Sequence, residues 1–103
     1  MPVIELATLK AKPGHGDELG RALPEALAVI AGLDGCLGVS CLRCIERPDE
    51  FVARVEWVSI ADHEAFRAGP GLGRFRAPIA AHYDGATALG HFTQIALTPA
   101  VSP

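Results

Sequence analysis

No apolar run in this 103-residue chain approaches the roughly 20 residues that a membrane-crossing helix needs, and no cluster of cations interrupts its mild acidity. Nine Lys and Arg stand against 12 Asp and Glu, a formal charge of −3. Nucleic-acid binding depends on clustered positive charge and is therefore not expected. The opening residues Met1-Pro2-Val3-Ile4-Glu5 offer neither the basic start nor the apolar stretch of a secretory signal, so the expected location is cytoplasmic, with no membrane partner. Cysteine is scarce as well. Cys36, Cys41 and Cys44 share the C-x4-C-x2-C spacing that opens plant-type iron–sulfur motifs, but no fourth cysteine exists to close a cluster. Their segment reads as a strand, which sends Cys41 and Cys44 to opposite faces. Reduced, buried, structural thiols are expected, and no metal.

Apolar residues are abundant: half the chain is hydrophobic and only a fifth is charged. This length predicts one domain, residues 1–97, with a frayed tail over 98–103. Its apolar surplus exceeds what a small monomer hides, and a subunit interface is the usual destination.

Local patterns divide the chain. Val3 to Leu9 predicts a strand, and Lys12 to Asp17 a turn into a helix with Asp17 as N-cap. Leu19, Leu23, Ala26, Leu27 and Ile30 form one apolar helical stripe. Pro24 lies within it and predicts a kink or irregular turn near Gly20. Gly32-Leu-Asp-Gly35 ends the helix. A strand from Cys36 to Ile45 pairs as a hairpin with Phe51 to Val58. Ser59 then caps a second helix, with Asp62 completing an acidic capping box. That helix breaks at Ala68-Gly69-Pro70-Gly71, and Leu72, Phe75, Ile79 and Tyr83 continue at helical spacing. Ala86 to Leu97 predicts the last strand. Gly69-Pro-Gly-Leu-Gly73 superficially resembles a phosphate loop but follows a helix, so it fits a flexible break that gates a pocket.

The order β-α-β-β-α-β is the ferredoxin-like arrangement, an α+β fold with both helices on one face of a four-stranded antiparallel sheet. The predicted second and fourth strands carry apolar residues at both parities: Leu37, Val39 and Cys41 against Cys36 and Leu42, and Leu89 and Ile95 against Phe92. A sheet apolar on both sides needs cover on both sides. A homodimer with facing sheets is expected, in which Glu5, Arg43, Arg54 and Glu56 pair across the interface.

Candidate functional residues gather where the third strand ends. Trp57, the sole tryptophan, closes a face shared with Phe51, Ala53 and Val55 and suits a pocket edge. His63, on the first turn of the next helix, has its charged form disfavoured by the helix dipole, which suits a neutral base. Phe66 lies beside it. His91 reads as a core or interface histidine with a substrate-side alternative. His82 and Tyr83 end a helix near a pocket mouth, and His15 lies in a solvated turn.

The Lys12-Pro-Gly-His-Gly-Asp-Glu-Leu19 stretch, the Leu33-Asp-Gly-Cys-Leu-Gly38 turn, the Phe51 to Ser59 junction with Glu56-Trp57-Val58-Ser59, Phe75 and the late Gly90-His91-Phe92 have a recognisable order. From Pro2 to about Ile95 the chain resembles the antibiotic biosynthesis monooxygenase family, small dimeric α/β-barrel proteins that include cofactor-independent quinol oxygenases. Against the aromatic-polyketide oxygenases of that family, Trp57 matches, while Ala53 and His63 stand where those enzymes carry Asn and Tyr. A helical Arg of theirs has its counterpart in Arg74 or Arg76. The haem-degrading members use a strand-one Asn and a helical His that this chain replaces, the latter with Phe66 or Arg67.

The resemblance implies a cofactor-independent monooxygenase acting on a quinol or related phenol, with a small aromatic substrate and dioxygen as partners and no cofactor. His63 is then the base, Trp57 and Arg76 its catalytic companions, and Phe66, Arg74, Phe75, Tyr83 and His91 the substrate contacts. A non-catalytic dimeric binding module, or an isomerase or lyase on the same barrel, is the alternative.

Overall fold

The computed structural model of the chain describes residues 2–97, so the tail expected to fray lies outside them. Its elements are β1 (Val3–Ala11), α1 (Gly16–Ala31), β2 (Cys36–Arg43), β3 (Glu50–Trp57), α2 (Ile60–Ala68), α3 (Gly71–Arg76) and β4 (Tyr83–Phe92). One antiparallel sheet runs in the order β2-β3-β1-β4, the ferredoxin-like topology. β1 is therefore central, paired to β3 on one side and β4 on the other.

Alternation along the central strands decides where the core sits. Ala7, Leu9 and Ala11 of β1, with Phe51, Ala53, Val55 and Trp57 of β3, are buried beneath Leu19, Leu23, Ala26, Leu27 and Ile30 of α1. Phe66, Phe75 and Ile79 complete the cluster. The opposite face has no helix and exposes Leu42 (66%) and Phe92 (51%).

Several local expectations are corrected. α1 is one continuous helix from Gly16 to Ala31 with Pro24 inside it, so no irregular turn interrupts it near Gly20. Its N-cap position is His15, which makes no side-chain cap; Asp17 instead pairs with Arg43 at 2.9 Å. Tyr83 is the first residue of β4, because one last turn closes from Tyr83 N–H to the Ile79 carbonyl at 2.9 Å before the chain extends. β4 accordingly begins earlier than expected and ends at Phe92, leaving Ile95 beyond it. The cysteines are free and half-buried, not buried.

The strand parities also differ. In β2 the pairing shifts between Cys36 and Gly38, so Cys36, Val39 and Cys41 lie opposite the inward residues of β3, and Leu42 lies on the open face. Glu5 and Arg43 are on the helix side, not on the open face. Arg43 Nε donates to the Pro48 carbonyl at 2.7 Å and its guanidinium lies 5.5 Å from the Phe51 ring centre. Arg54 and Glu56 do share the open face, and there they pair with each other at 3.0 Å within one chain.

Candidate active site

Glu5 interrupts the inward row of β1 with a carboxylate that is only 7% exposed. Its cross-strand partners are Val55 on β3 and His91 on β4, while Trp57 lies opposite Val3. A buried carboxylate is costly unless donors surround it. Trp57 supplies one: its indole Nε1–H donates to Glu5 Oε1 at 2.9 Å. His63 lies next to it, with Nε2 at 3.3 Å from the same oxygen.

The start of α2 aims His63 at this point. Ser59 Oγ accepts from the Asp62 backbone N–H at 3.3 Å and donates to Asp62 Oδ2 at 2.8 Å, which fixes the first turn. Gly35, at φ +83°, lies against the Asp62 carboxyl, where a Cβ would collide. One position after Asp62, the His63 ring stacks on Trp57 with centroids 5.4 Å apart and planes at 19°. Its other nitrogen, Nδ1, meets His91 Nε2 at 2.7 Å.

Glu5, His63 and His91 thus form a continuous chain. A carboxylate oxygen opposite Nε2 favours the proton on Nε2, so neutral His63 presents Nδ1 as acceptor for His91 Nε2–H; this tautomer is assigned from the network. Burial is the main cause that holds the His63 imidazole below its ordinary basicity, and the charges of His91 and Arg67 act in the same direction. Glu5 and Glu64 oppose them. Desolvation heads these causes, where the sequence suggested the helix dipole.

Beside the chain lies a cavity of about 150 Å³ between the sheet and the helices. Glu5 and His63 line it, as do Phe66, Phe75, Arg76 and Tyr83. Phe66 and Phe75 meet edge-on at 6.0 Å. Burial pushes the Tyr83 phenol up, and the Arg76 charge opposes the shift.

The other residues singled out from the sequence lie elsewhere. Trp57 is fully buried behind Glu5 and His63 and does not line the cavity, because its ring is covered by α2. His91 joins the site through His63. Arg74 lines a separate depression with Asp34, Asp62 and Pro70, since it falls on the other side of α3 from Phe75 and Arg76. His15, expected in solvent, is half-buried with Nδ1 3.0 Å from His82 Nδ1.

Two charged residues were not anticipated at the cavity: Glu5, placed by its sequence parity at the interface, and Arg67. The available signal for Glu5 was a lone acid in an otherwise apolar run. A wider groove of about 770 Å³ separates α1 from β2, but its ionic groups include the Asp17–Arg43 pair and no buried acid–base chain.

Comparison with known proteins bears on the family and the fold. Residues 2–78 fit the sequence profile of the antibiotic biosynthesis monooxygenase family. The uncharacterised YczJ protein of Bacillus subtilis is 29% identical over 94 residues, 90% of this chain and 99% of its own. A candidate antibiotic biosynthesis monooxygenase of Bordetella bronchiseptica superimposes with a TM-score of 0.83 at 21% identity, covering 92% of this chain and 98% of the other. SnoaB, a cofactor-independent oxygenase from Streptomyces nogalater, superimposes with a TM-score of 0.77 at 18% identity, over 95% and 97% of the two chains. With its ferredoxin-like sheet and a family profile matched across most of its length, the chain belongs to the antibiotic biosynthesis monooxygenase family.

Proposed function

We propose that this protein is a cofactor-independent monooxygenase of a quinol or other electron-rich phenol, working as a homodimer. The observation that carries the reading is the Glu5–His63–His91 chain, whose buried members Glu5 and His63 stand on the wall of an aromatic cavity. Family membership and the fold shared with SnoaB support it.

The chemistry needs only substrate and dioxygen. The Glu5–His63–His91 chain takes a phenolic proton, and the resulting anion, desolvated between Phe66 and Phe75, passes one electron to O2. Recombination of the radical pair forms a carbon–oxygen bond, and the returned proton makes a hydroperoxide. Loss of the ring hydrogen with cleavage of the O–O bond then leaves a carbonyl and water. For a hydroquinone the sum is hydroquinone plus O2 giving hydroxyquinone plus water. The substrate supplies both electron pairs that reduce dioxygen. Trp57 orients Glu5, and Arg76 stabilises negative charge on the substrate.

Oxygen-electrode assays over a panel of quinols test the reading, with ¹⁸O2 expected to place one labelled atom in product and one in water. His63→Ala should abolish uptake and leave the dimer intact. Uptake by that variant at the wild-type rate would remove His63 from the mechanism. Ligand binding in native mass spectrometry without turnover across the panel would favour a non-catalytic binding module.

A further inference from the structure

We propose that the ligand of the cavity is a single-ring phenol bearing a carboxylate, that its hydroxyl meets Glu5 Oε2 and its carboxylate meets Arg76, and that Glu5, not His63, receives the phenolic proton. The inference rests on the cavity being the substrate site and adds the ligand class and the base.

Size selects the ring count. A cavity of about 150 Å³ walled by Leu27, Ile30, Phe66 and Phe75 matches the volume at which a similarly lined protein cavity accepts benzene. It falls well short of the roughly 300–1,000 Å³ that encloses drug-sized ligands. Fused multi-ring phenols are too large without opening the site.

Access selects the base. His63 directs Nε2 toward Glu5 Oε1 at 3.3 Å and Nδ1 toward His91 Nε2 at 2.7 Å. No lone pair of this ring is left for a substrate hydroxyl. Glu5 has its neighbours Trp57 and His63 both on Oε1. Among the described residues the sole sealed side-chain oxygen without a partner is Glu18 Oε2. Glu5 Oε2 has no hydrogen-bond partner there either and is not sealed, and Glu5 lines the cavity, which leaves this oxygen as the acceptor we assign to the ligand hydroxyl. The transfer is simple: the phenol O–H bond breaks, an O–H bond forms at Oε2, and phenolate faces a neutral carboxylic acid. His63 is a positioning residue.

Charge selects the substituent. Arg67 and Arg76 line the cavity, Glu5 is its one acidic lining residue, and neither guanidinium joins a salt bridge among the described residues. Arg76 acts on Tyr83, which pairs with Ala11, whereas Glu5 lies at the other end of the same strand. Both Arg76 and Glu5 line the cavity, so we assign the ligand's two polar groups one to each. A guanidinium is also the side chain best shaped to hold a carboxylate.

The test uses 4-hydroxybenzoate, phenol and a three-ring hydroxyanthracene carboxylate under anaerobic conditions. Binding is followed by the fluorescence of Trp57, the sole tryptophan, and ionisation by the ultraviolet band of phenolate. We expect 4-hydroxybenzoate to bind about tenfold more tightly than phenol, and the three-ring acid to bind more weakly than either. Bound 4-hydroxybenzoate should show phenolate absorption at a pH where the free phenol is protonated. Glu5→Gln should remove that band and keep binding, and Arg76→Gln should reduce 4-hydroxybenzoate to the affinity of phenol. If circular dichroism shows Glu5→Gln unfolded, Glu5→Asp, which draws the carboxylate back, should weaken the band. A phenolate band retained in the Glu5 variants, or tighter binding of the three-ring acid, overturns the proposal. Binding and ionisation as expected with no oxygen uptake would sink the oxygenase reading alone.

Discussion

The indole Nε1–H of Trp57 donates to Glu5 Oε1 at 2.9 Å across 52 positions of sequence, joining the central strand to the strand that leads into α2. Trp57→Phe keeps an aromatic ring but leaves that oxygen with His63 alone. Loss of a hydrogen bond to a buried charged group, with the small void left behind, should cost about 2–4 kcal/mol. Urea denaturation measures it. A double-mutant cycle with Glu5→Gln should give a coupling of about 0.5–3 kcal/mol, and strict additivity would show that the bond contributes nothing.

Stability should depend on pH through His63. Burial holds its folded-state basicity below the ordinary value of 6.5. The unfolded chain therefore binds the proton first as pH falls. Stability is full above about pH 6.5 and declines below it, until folded His63 protonates as well. His63→Gln should flatten this slope in urea midpoints measured across the range. Tyr83 acts at the other extreme: burial raises its ionisation, so stability is full below the ordinary value of 10.0 and falls as pH rises past it. An unchanged acid slope in His63→Gln would assign the dependence to other groups.

The open sheet face carries the homodimer proposal. Leu42 and Phe92 are 66% and 51% exposed on that face, away from the cavity. Leu42→Asp combined with Phe92→Asp should convert the dimer to monomers in sedimentation or light scattering, because buried unpaired carboxylates are costly. A dimer of undiminished affinity would place the interface elsewhere.

Gly35→Ala should be costly for its size. Its φ of +83° and the adjacent Asp62 carboxyl leave no room for a methyl group. About 1–3 kcal/mol of stability should be lost, and displacement of the Ser59–Asp62 cap should lower activity through His63. Thermal melts with oxygen uptake test both effects. A variant as stable as the parent would mean that the turn relaxes freely.

Much of this fold was legible in the sequence, because alternation in β3 and the three-and-four spacing of α1 are each nearly free of conflict. The site was less so. In β1, Ile4, Leu6, Ala7 and Leu9 put apolar residues on both faces, so alternation alone left the side of Glu5 undetermined. The shift between Cys36 and Gly38 reverses parity within β2, and the strand glycine Gly38 was its available signal. Tyr83 keeps helical spacing with Ile79, but the chain extends at Tyr83 instead of turning again. The His63–His91 contact joins α2 to an edge strand, a tertiary event with no local pattern.

The central position of β1 gives one strand both the cavity wall and the open sheet face. Glu5, Ala7 and Leu9 face the cavity while Ile4 and Leu6 face the open side, all on one nine-residue strand. A one-residue slip would exchange these two populations. An insertion or deletion within Val3–Ala11 would therefore expel the carboxylate to the outer surface and turn the open-face residues inward. Single substitutions can adjust either surface separately, but a change in strand length alters both at once.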